Sequence, residues 1–408
     1  MVLTEQNRLV VKPEKTSQVL DLLKEHYRED TAIFFGGAAA APLSNRNKNI
    51  FIDCQALTEV REHVLSDMVI AVETGITIAA LAELLAQHGQ LFPVDIQNPD
   101  LRLIDVIASG DGGYMEQGFG YMRSLVLGLE LAYADGKCAK LGGRVVKNVT
   151  GFDLTKLVVG GRGVFGLPYL AHLRLFAAPP AQAYFAVVKK SAADLLLMAA
   201  KLLLTGLPLT ALELVETAAA GAASVGSESK VSAYQYALII GVMGSEQLVS
   251  SVSKQLRETG GIFNEHSREE LASEYPMLVR SPQIGLEAAL SRASAAALID
   301  HLGAVGQRGL LRYRPGMGRF CLDFEDEEAL DKGYDLICRF LSNTKLKTGN
   351  NSLAEFEQAT IAKYNGPYSF SSHSQRPGDA AFGQLVSKLR RTFDPLLCFN
   401  VGVTFHGS

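Results

Sequence analysis

The sequence predicts an α+β chain of two domains, and three observations carry that prediction. At 408 residues the chain exceeds one ordinary core, since a domain takes about 150 residues. Its glycines are uneven: fourteen of the 38 lie between Gly110 and Gly166, where backbone must turn tightly or approach a ligand. The rhythm then changes at Ala178-Pro179-Pro180, a break after which strand–helix–strand units repeat. The predicted domains are residues 1–178 and 179–408.

Each element has its own local reason. Leu9–Val11 reads as a short strand. Ser17–Tyr27 carries Val19, Leu20, Leu22 and Leu23 on one face and predicts a helix. Ala32–Phe35 is a β run ending at Gly36-Gly37, and Asn49–Asp53 is another strand. Val69–Glu73 leads through Gly75 into a helix over Ile78–His88, stopped by Gly89. Val126–Tyr133 alternates as a strand, Asp135-Gly136 makes a hairpin turn and Lys137–Leu141 returns. Leu170–Phe176 closes the first domain.

In the second domain the units are Tyr184–Val188, Ala192–Leu204 and Ala211–Val215, then Tyr236–Val242, Glu246–Glu258 and Gly261–Asn264. A third runs through Leu286–Leu290, Ser294–Leu302 and Gly309–Tyr313. Such repeats predict ferredoxin-like halves. Ser369–Asp379 is polar and reads as a loop before a last helix over Ala380–Thr392.

Composition excludes several function classes. The chain is 48% hydrophobic and 20% charged, with a net charge of −4. It therefore has no global attraction for nucleic acid, and any anion must be held locally. The cysteines Cys54, Cys138, Cys321, Cys338 and Cys398 are scattered, with no C-x-x-C pair. They predict reduced thiols in the cytoplasm and no iron–sulfur cluster held by this chain alone. MVLTEQNRLVVKPEK lacks an apolar signal core. The most apolar stretch, Leu195–Val215, is broken by Lys201, Gly206 and Pro208, so no transmembrane segment is expected.

Gly161-Arg162-Gly163-Val164-Phe165-Gly166 satisfies G-x-G-x-x-G. A dinucleotide fingerprint must open a helix, whereas Pro168 and an alternating strand follow here, so a Rossmann site is rejected. The eight histidines show no metal-ligand spacing, and no metal site is expected. Lys137–Arg162 holds six basic residues against Asp153 alone, which suits a diphosphate or an acidic partner but equally a solvated hairpin face. Arg312, Arg314 and Arg319 flank Pro315-Gly316; Arg312 and Arg314 share one strand face and could clamp a carboxylate, but an exposed hairpin is the favoured reading.

Taken in order, the motifs of residues 30–178 resemble the FAD-binding domain of the vanillyl-alcohol oxidase and p-cresol methylhydroxylase superfamily. The pieces are Gly36-Gly37, Asp53 to Leu57, VIAVETGITIAALAELLAQHGQLFPVD, Ser109-Gly110, GFGYMRSLVLGLELAYADGK and GGRVVKNVTGFDLTKLVVGGRGVFG. The GGRVVKNVTGFDL string and the closing KLRRTFDPLLCFNVG are most similar to the FAD-binding subunit of glycolate oxidase.

The resemblance implies an FAD-binding domain of two α+β subdomains followed by a ferredoxin-like α+β C-terminal domain. FAD would lie non-covalently between the subdomains, its diphosphate on two glycine turns. By position the first turn is Gly36, Gly37, Ala38 and Ala39, and the second lies around Ile104, Asp105, Ser109 and Gly110. Gly120, Arg123, Lys147, Gly163, Gly166 and Leu167 complete the implied site, with Asn148, Gly151 and Asp153 on the signature loop.

Two departures stand out. Alanines 38–41 replace the usual hydroxyl, and Leu103-Ile104-Asp105-Val106 stands for Thr-Ile-Gly-Gly. A carboxylate beside a diphosphate predicts weakened FAD binding. The H-x-G-D-G-N-x-H string of the larger flavin subunits is absent, and no catalytic base can be named.

The resemblance further implies a subunit of a complex oxidising glycolate to glyoxylate, with a larger FAD-binding subunit and an iron–sulfur subunit as partners. It implies a cytoplasmic location, with any contact to the inner membrane made through those partners. Two alternatives stay open: a structural paralogue that has lost FAD, and a stand-alone FAD-dependent hydroxyacid oxidase.

Overall fold

The computed structural model describes residues 3–5, 8–36, 46–94, 101–143, 153–217, 235–258, 264–275, 284–305, 310–324, 327–347, 360–365, 370–374, 379–399 and 403–404. The chain opens with β1 (Leu3–Glu5), β2 (Arg8–Val11), α1 (Thr16–His26), β3 (Thr31–Gly36) and β4 (Lys48–Asp53). These form a four-stranded sheet in the order β1-β2-β4-β3. β2, β4 and β3 run parallel. Every residue of β3 is buried, as an apolar run with covered faces should be.

A second subdomain follows. It comprises β5 (Val60–Val64), β6 (Val69–Glu73), α2 (Ile78–Ala86), β7 (Gln90–Leu91), α3 (Leu103–Ser109), α4 (Glu116–Phe119), α5 (Met122–Leu125), β8 (Val126–Ala132), β9 (Cys138–Gly142), α6 (Thr155–Val158), β10 (Leu167–Arg174) and β11 (Phe176–Ala177). Its sheet order is β5-β6-β10-β8-β9. Thr77 caps α2, its hydroxyl accepting from Ala80 N–H at 3.1 Å.

The C-terminal part begins with β12 (Ala181–Lys189), α7 (Ala192–Leu204), β13 (Leu209–Thr217), β14 (Gln235–Gly244), α8 (Glu246–Glu258) and β15 (Asn264–His266), then α9 (Arg268–Glu274). It continues through β16 (Ile284–Ala289), α10 (Arg292–Val305), β17 (Leu310–Arg314), β18 (Arg319–Asp323), α11 (Glu327–Lys347) and β19 (Thr360–Asn365). One ten-stranded sheet holds its strands in the order β15-β12-β14-β13-β17-β18-β16-β19, extended by β20 (Phe370–Ser374) and β21 (Val403–Thr404). Each half is a βαββαβ unit with the ferredoxin-like order, and the halves meet where β13 pairs with β17. α7, α8, α10 and α11 cover one face around Phe185, Leu195, Leu238, Leu298 and Phe320.

The last described stretch returns to the first subdomain. After α12 (Asp379–Phe393), Phe399 forms a parallel bridge with Ile33 and meets the Phe35 ring edge-on at 5.4 Å. Arg46 donates to the Leu396 carbonyl at 3.0 Å.

Three expectations are corrected. Residues 103–106, read as a glycine-type turn, open the helix α3. Part of Ser369–Asp379, read as a loop, is the strand β20, drawn into a ladder with β19. Arg312 and Arg314, read as exposed, are 7% and 3% exposed. Among the described residues, no helix is long and apolar enough to cross a membrane.

Candidate functional site

The seam between the two N-terminal sheets gathers part of the expected flavin site. Gly36 ends β3 beside Asp53 with φ 151°, a value that favours glycine. Cys54 follows, buried, its thiol pushed up by burial and by Asp105 and Asp53, against a hydrogen bond with the Gly36 backbone. Ile104, on α3, and Leu167, at the start of β10, share one core with Ile33, Phe35, Cys54, Tyr169 and Phe399. Ser109 and Gly110 end α3, where Gly110 (φ 69°) leaves no room for a side chain. A Cβ there would lie 2.9 Å from Gly160 Cα. Gly163 (φ 75°) and Gly166 (φ 146°) follow on the strand entry.

The other expected residues are elsewhere or outside the described residues. Gly120 ends α4, and Arg123 is exposed, its guanidinium 5.0 Å from the Tyr121 ring centre. Gly37, Ala38, Ala39, Lys147, Asn148 and Gly151 lie outside the described residues. Asp153 pairs with Lys156 at 3.2 Å.

Asp105 does not face outward. It is 2% exposed, and its carboxylate accepts from the Arg102 N–H at 3.3 Å. That contact is the return arm of a capping box. A diphosphate needs free N–H donors. The first N–H groups of α3 are instead bonded to Ile76, Thr74 and Arg102 carbonyls at 2.9, 2.8 and 3.0 Å. The residues of this turn therefore do not fit a flavin diphosphate.

A second constellation joins the N-terminal part to the ten-stranded sheet. Arg314 of β17 is buried and donates through Nη1 to Asp111 at 2.8 Å and Glu116 at 2.9 Å. Its Nε stands 3.5 Å from Glu213 of β13. Arg319 of β18 reaches the same Asp111 and Glu116 oxygens at 3.5 and 3.7 Å and Glu287 of β16 at 3.0 Å. Arg162 pairs with Glu287 at 3.4 Å, and Arg312 with Asp323 at 3.4 Å. The Nε contacts of Arg314 and Arg319 lie within ion-pair distance but off hydrogen-bond alignment.

The glycine-rich loop supplies the remaining donors. Asp111 accepts from Gly113 N–H and Glu116 from Gly112 N–H, both at 3.0 Å. Burial works against ionising Asp111, yet Arg314, Arg319 and Arg312 outweigh it and hold its carboxyl well below the usual carboxylate range. For Glu116 the balance reverses. Burial pushes its carboxyl up, and the Arg314 charge only partly offsets that. Four arginines thus face five carboxylates, of which Glu116 gives up its proton less readily than usual.

Sequence reasoning noticed Arg312, Arg314 and Arg319 but not their partners, which are spread from Asp111 to Asp323. One signal was available: Glu213 interrupts an otherwise apolar strand, ALELV. A lone charge at an inward position requires a buried partner.

Residues 8–142 match the family described as FAD binding domain. The chain is 29% identical over 175 residues to a D-lactate dehydrogenase of Archaeoglobus fulgidus, covering 42% of this chain and 39% of that protein. It is 27% identical over 179 residues to glycolate oxidase subunit GlcD of Bacillus subtilis, covering 42% and 37%. The chain thus spans under two fifths of the length of these relatives. An alkyldihydroxyacetonephosphate synthase structure superposes with a TM-score of 0.66 at 15% identity, covering 96% of this chain and 75% of that one. At that identity the likeness concerns the fold alone, an α+β architecture. Residues 8–142 thus match an FAD binding domain, and FAD is the cofactor that this match and the FAD-linked relatives support.

Proposed function

We propose that this chain is an FAD-domain subunit of a complex that oxidises 2-hydroxy acids. Glycolate is the substrate, and a larger flavin subunit and an iron–sulfur subunit are the partners. The relatives support the substrate class: their names include D-lactate dehydrogenase, D-2-hydroxyglutarate dehydrogenase and a glycolate oxidase subunit. The observation that carries the auxiliary role is the junction. There the buried arginines already hold carboxylates of the chain itself. Oxidising a 2-hydroxy acid calls for a cation to hold its carboxylate and a base for its proton. In this reading a partner subunit supplies both, and this chain supplies fold and interface.

Co-expression with the two partner subunits should give a complex that reduces a dye with glycolate and loses activity without this chain. The isolated chain should give none, and robust turnover by it alone would overturn the proposal. A second reading, a paralogue that keeps the interface without flavin, is favoured by the occupied N–H groups of α3. Flavin absorbance of the purified chain separates the two.

A further inference from the structure

We infer that α3 is closed to phosphate, so that the second of the two turns expected to hold an FAD diphosphate does not meet it in this chain. This rests on the flavin-domain reading and states how that site is altered. A helix leaves its first N–H groups without intrahelical partners, and these would be the donors to an anion. Here each has a partner within the chain. Arg102 N–H donates to the Asp105 carboxylate, Leu103 N–H to Ile76 O, Ile104 N–H to Thr74 O, and Asp105 and Val106 N–H to Arg102 O.

One nitrogen of the Arg102 guanidinium, Nη1, is also committed. It donates to the carbonyls of Gln55 and Gly75, linking the two subdomains beside the start of α3. The far end of α3 is closed likewise. Gly160 and Arg162 N–H donate to Ile107 and Ala108 carbonyls, each at 2.9 Å, and Gly110 N–H to Val106 O at 2.8 Å. A phosphate arriving at α3 would have to break these bonds and approach a buried carboxylate. The closure is made by hydrogen bonds that fix the helix as much as by the charge of Asp105.

The test is FAD fluorescence titration of the full chain freed of flavin, with circular dichroism to check folding. Asp105→Gly with Val106→Gly removes the capping box and restores glycine at both positions; binding should tighten at least about tenfold. Asp105→Asn keeps an acceptor for the Arg102 N–H while removing the charge, and should stay within about threefold of the native chain. An unchanged or weaker double variant overturns the inference. So does a tenfold gain in Asp105→Asn, which would mean that charge alone keeps phosphate away. Should the double variant fail to fold, amide exchange of the native chain decides. Protection of residues 103–106 should not change when FAD is added, and slowing confined to them overturns the closure. Neither measurement reads turnover, so the subunit proposal is judged separately by its co-expression assay.

Discussion

Replacing Arg314 by Met tests the ion layer most directly. Methionine keeps an unbranched apolar stem of similar reach and deletes the charge. Asp111 and Glu116 would retain Arg319, at 3.5 and 3.7 Å, instead of Arg314 at 2.8 and 2.9 Å. Glu213, whose ion pair is with Arg314 at 3.5 Å, is 2% exposed and would be left facing apolar strands. Removing one partner of a buried pair costs about 3–5 kcal/mol, several times the value of an exposed pair.

The loss should depend on pH in a defined direction. In the variant, burial acts on Glu116 without the Arg314 charge that partly offsets it, so its carboxyl is pushed further above its unfolded value. The penalty of ionising it is therefore absent at low pH and grows as pH rises from the unfolded toward the folded value. Urea titrations at pH 5 and pH 8 should show the variant closer to the native chain at pH 5. Glu213→Gln added to Arg314→Met should recover part of the loss at pH 8. A change under about 1 kcal/mol at pH 8, or no recovery in the double variant, would refute the idea that the arginine holds these carboxylates in a dry junction.

Three further outcomes are expected. Glu216 sits among Ile299, Leu302, Leu311 and Leu322, and burial pushes its carboxyl up to about 7. The native chain should therefore lose about 1–3 kcal/mol as pH rises from about 4.5 through 7, and Glu216→Gln should flatten that slope in urea midpoints. A Cβ at Gly75 would fall 1.8 Å from Cys54 O and 2.6 Å from Leu57 O. Both are backbone atoms, so Gly75→Ala should lower the melting temperature steeply or yield insoluble protein, and normal melting would show that the seam can spread. Phe399 is 0% exposed, so Phe399→Ala should cost about 3–5 kcal/mol in chemical denaturation and should loosen exchange in β3 and β4, not in β12–β14.

The parts of the fold that were legible share one property: their signal is local. α7 and α8 announce themselves by caps and apolar spacing, and the Asp135-Gly136 turn fixes the hairpin between β8 and β9. Three strand–helix–strand patterns in succession were enough to suggest ferredoxin-like halves. α3 was illegible because LIDVIAS is apolar on nearly every side, as suits a helix buried all round, and no period marks it. β20 was missed because FSSHS has little strand preference of its own and is recruited by the edge of β19. The candidate site divides in the same way. Gly36, Ile104 and Leu167 were placed by motif order, and the structure brings them together. The direction of the Asp105 carboxylate was not encoded in its position in the motif, because it depends on a backbone N–H three residues away. The ion layer lies at the other extreme, with the partners of Arg314 about 100 to 200 residues away from it and meeting it only after the sheet has formed.

The return of Phe399 to Ile33 also sets an order of events during synthesis. β3 receives a neighbour that is made about 370 residues later, and translation at roughly 5–20 residues per second puts them some 20 to 75 s apart. Through that interval one margin of the first sheet is without its native cover while the much larger ten-stranded sheet is assembled beside it. An N-terminal fragment ending at residue 178 would be held permanently in that waiting state, its Phe35 lacking the ring that packs on it. Nascent chains stalled before residue 394 should accordingly exchange the backbone amides of β3 quickly, and chains released after residue 399 should protect them.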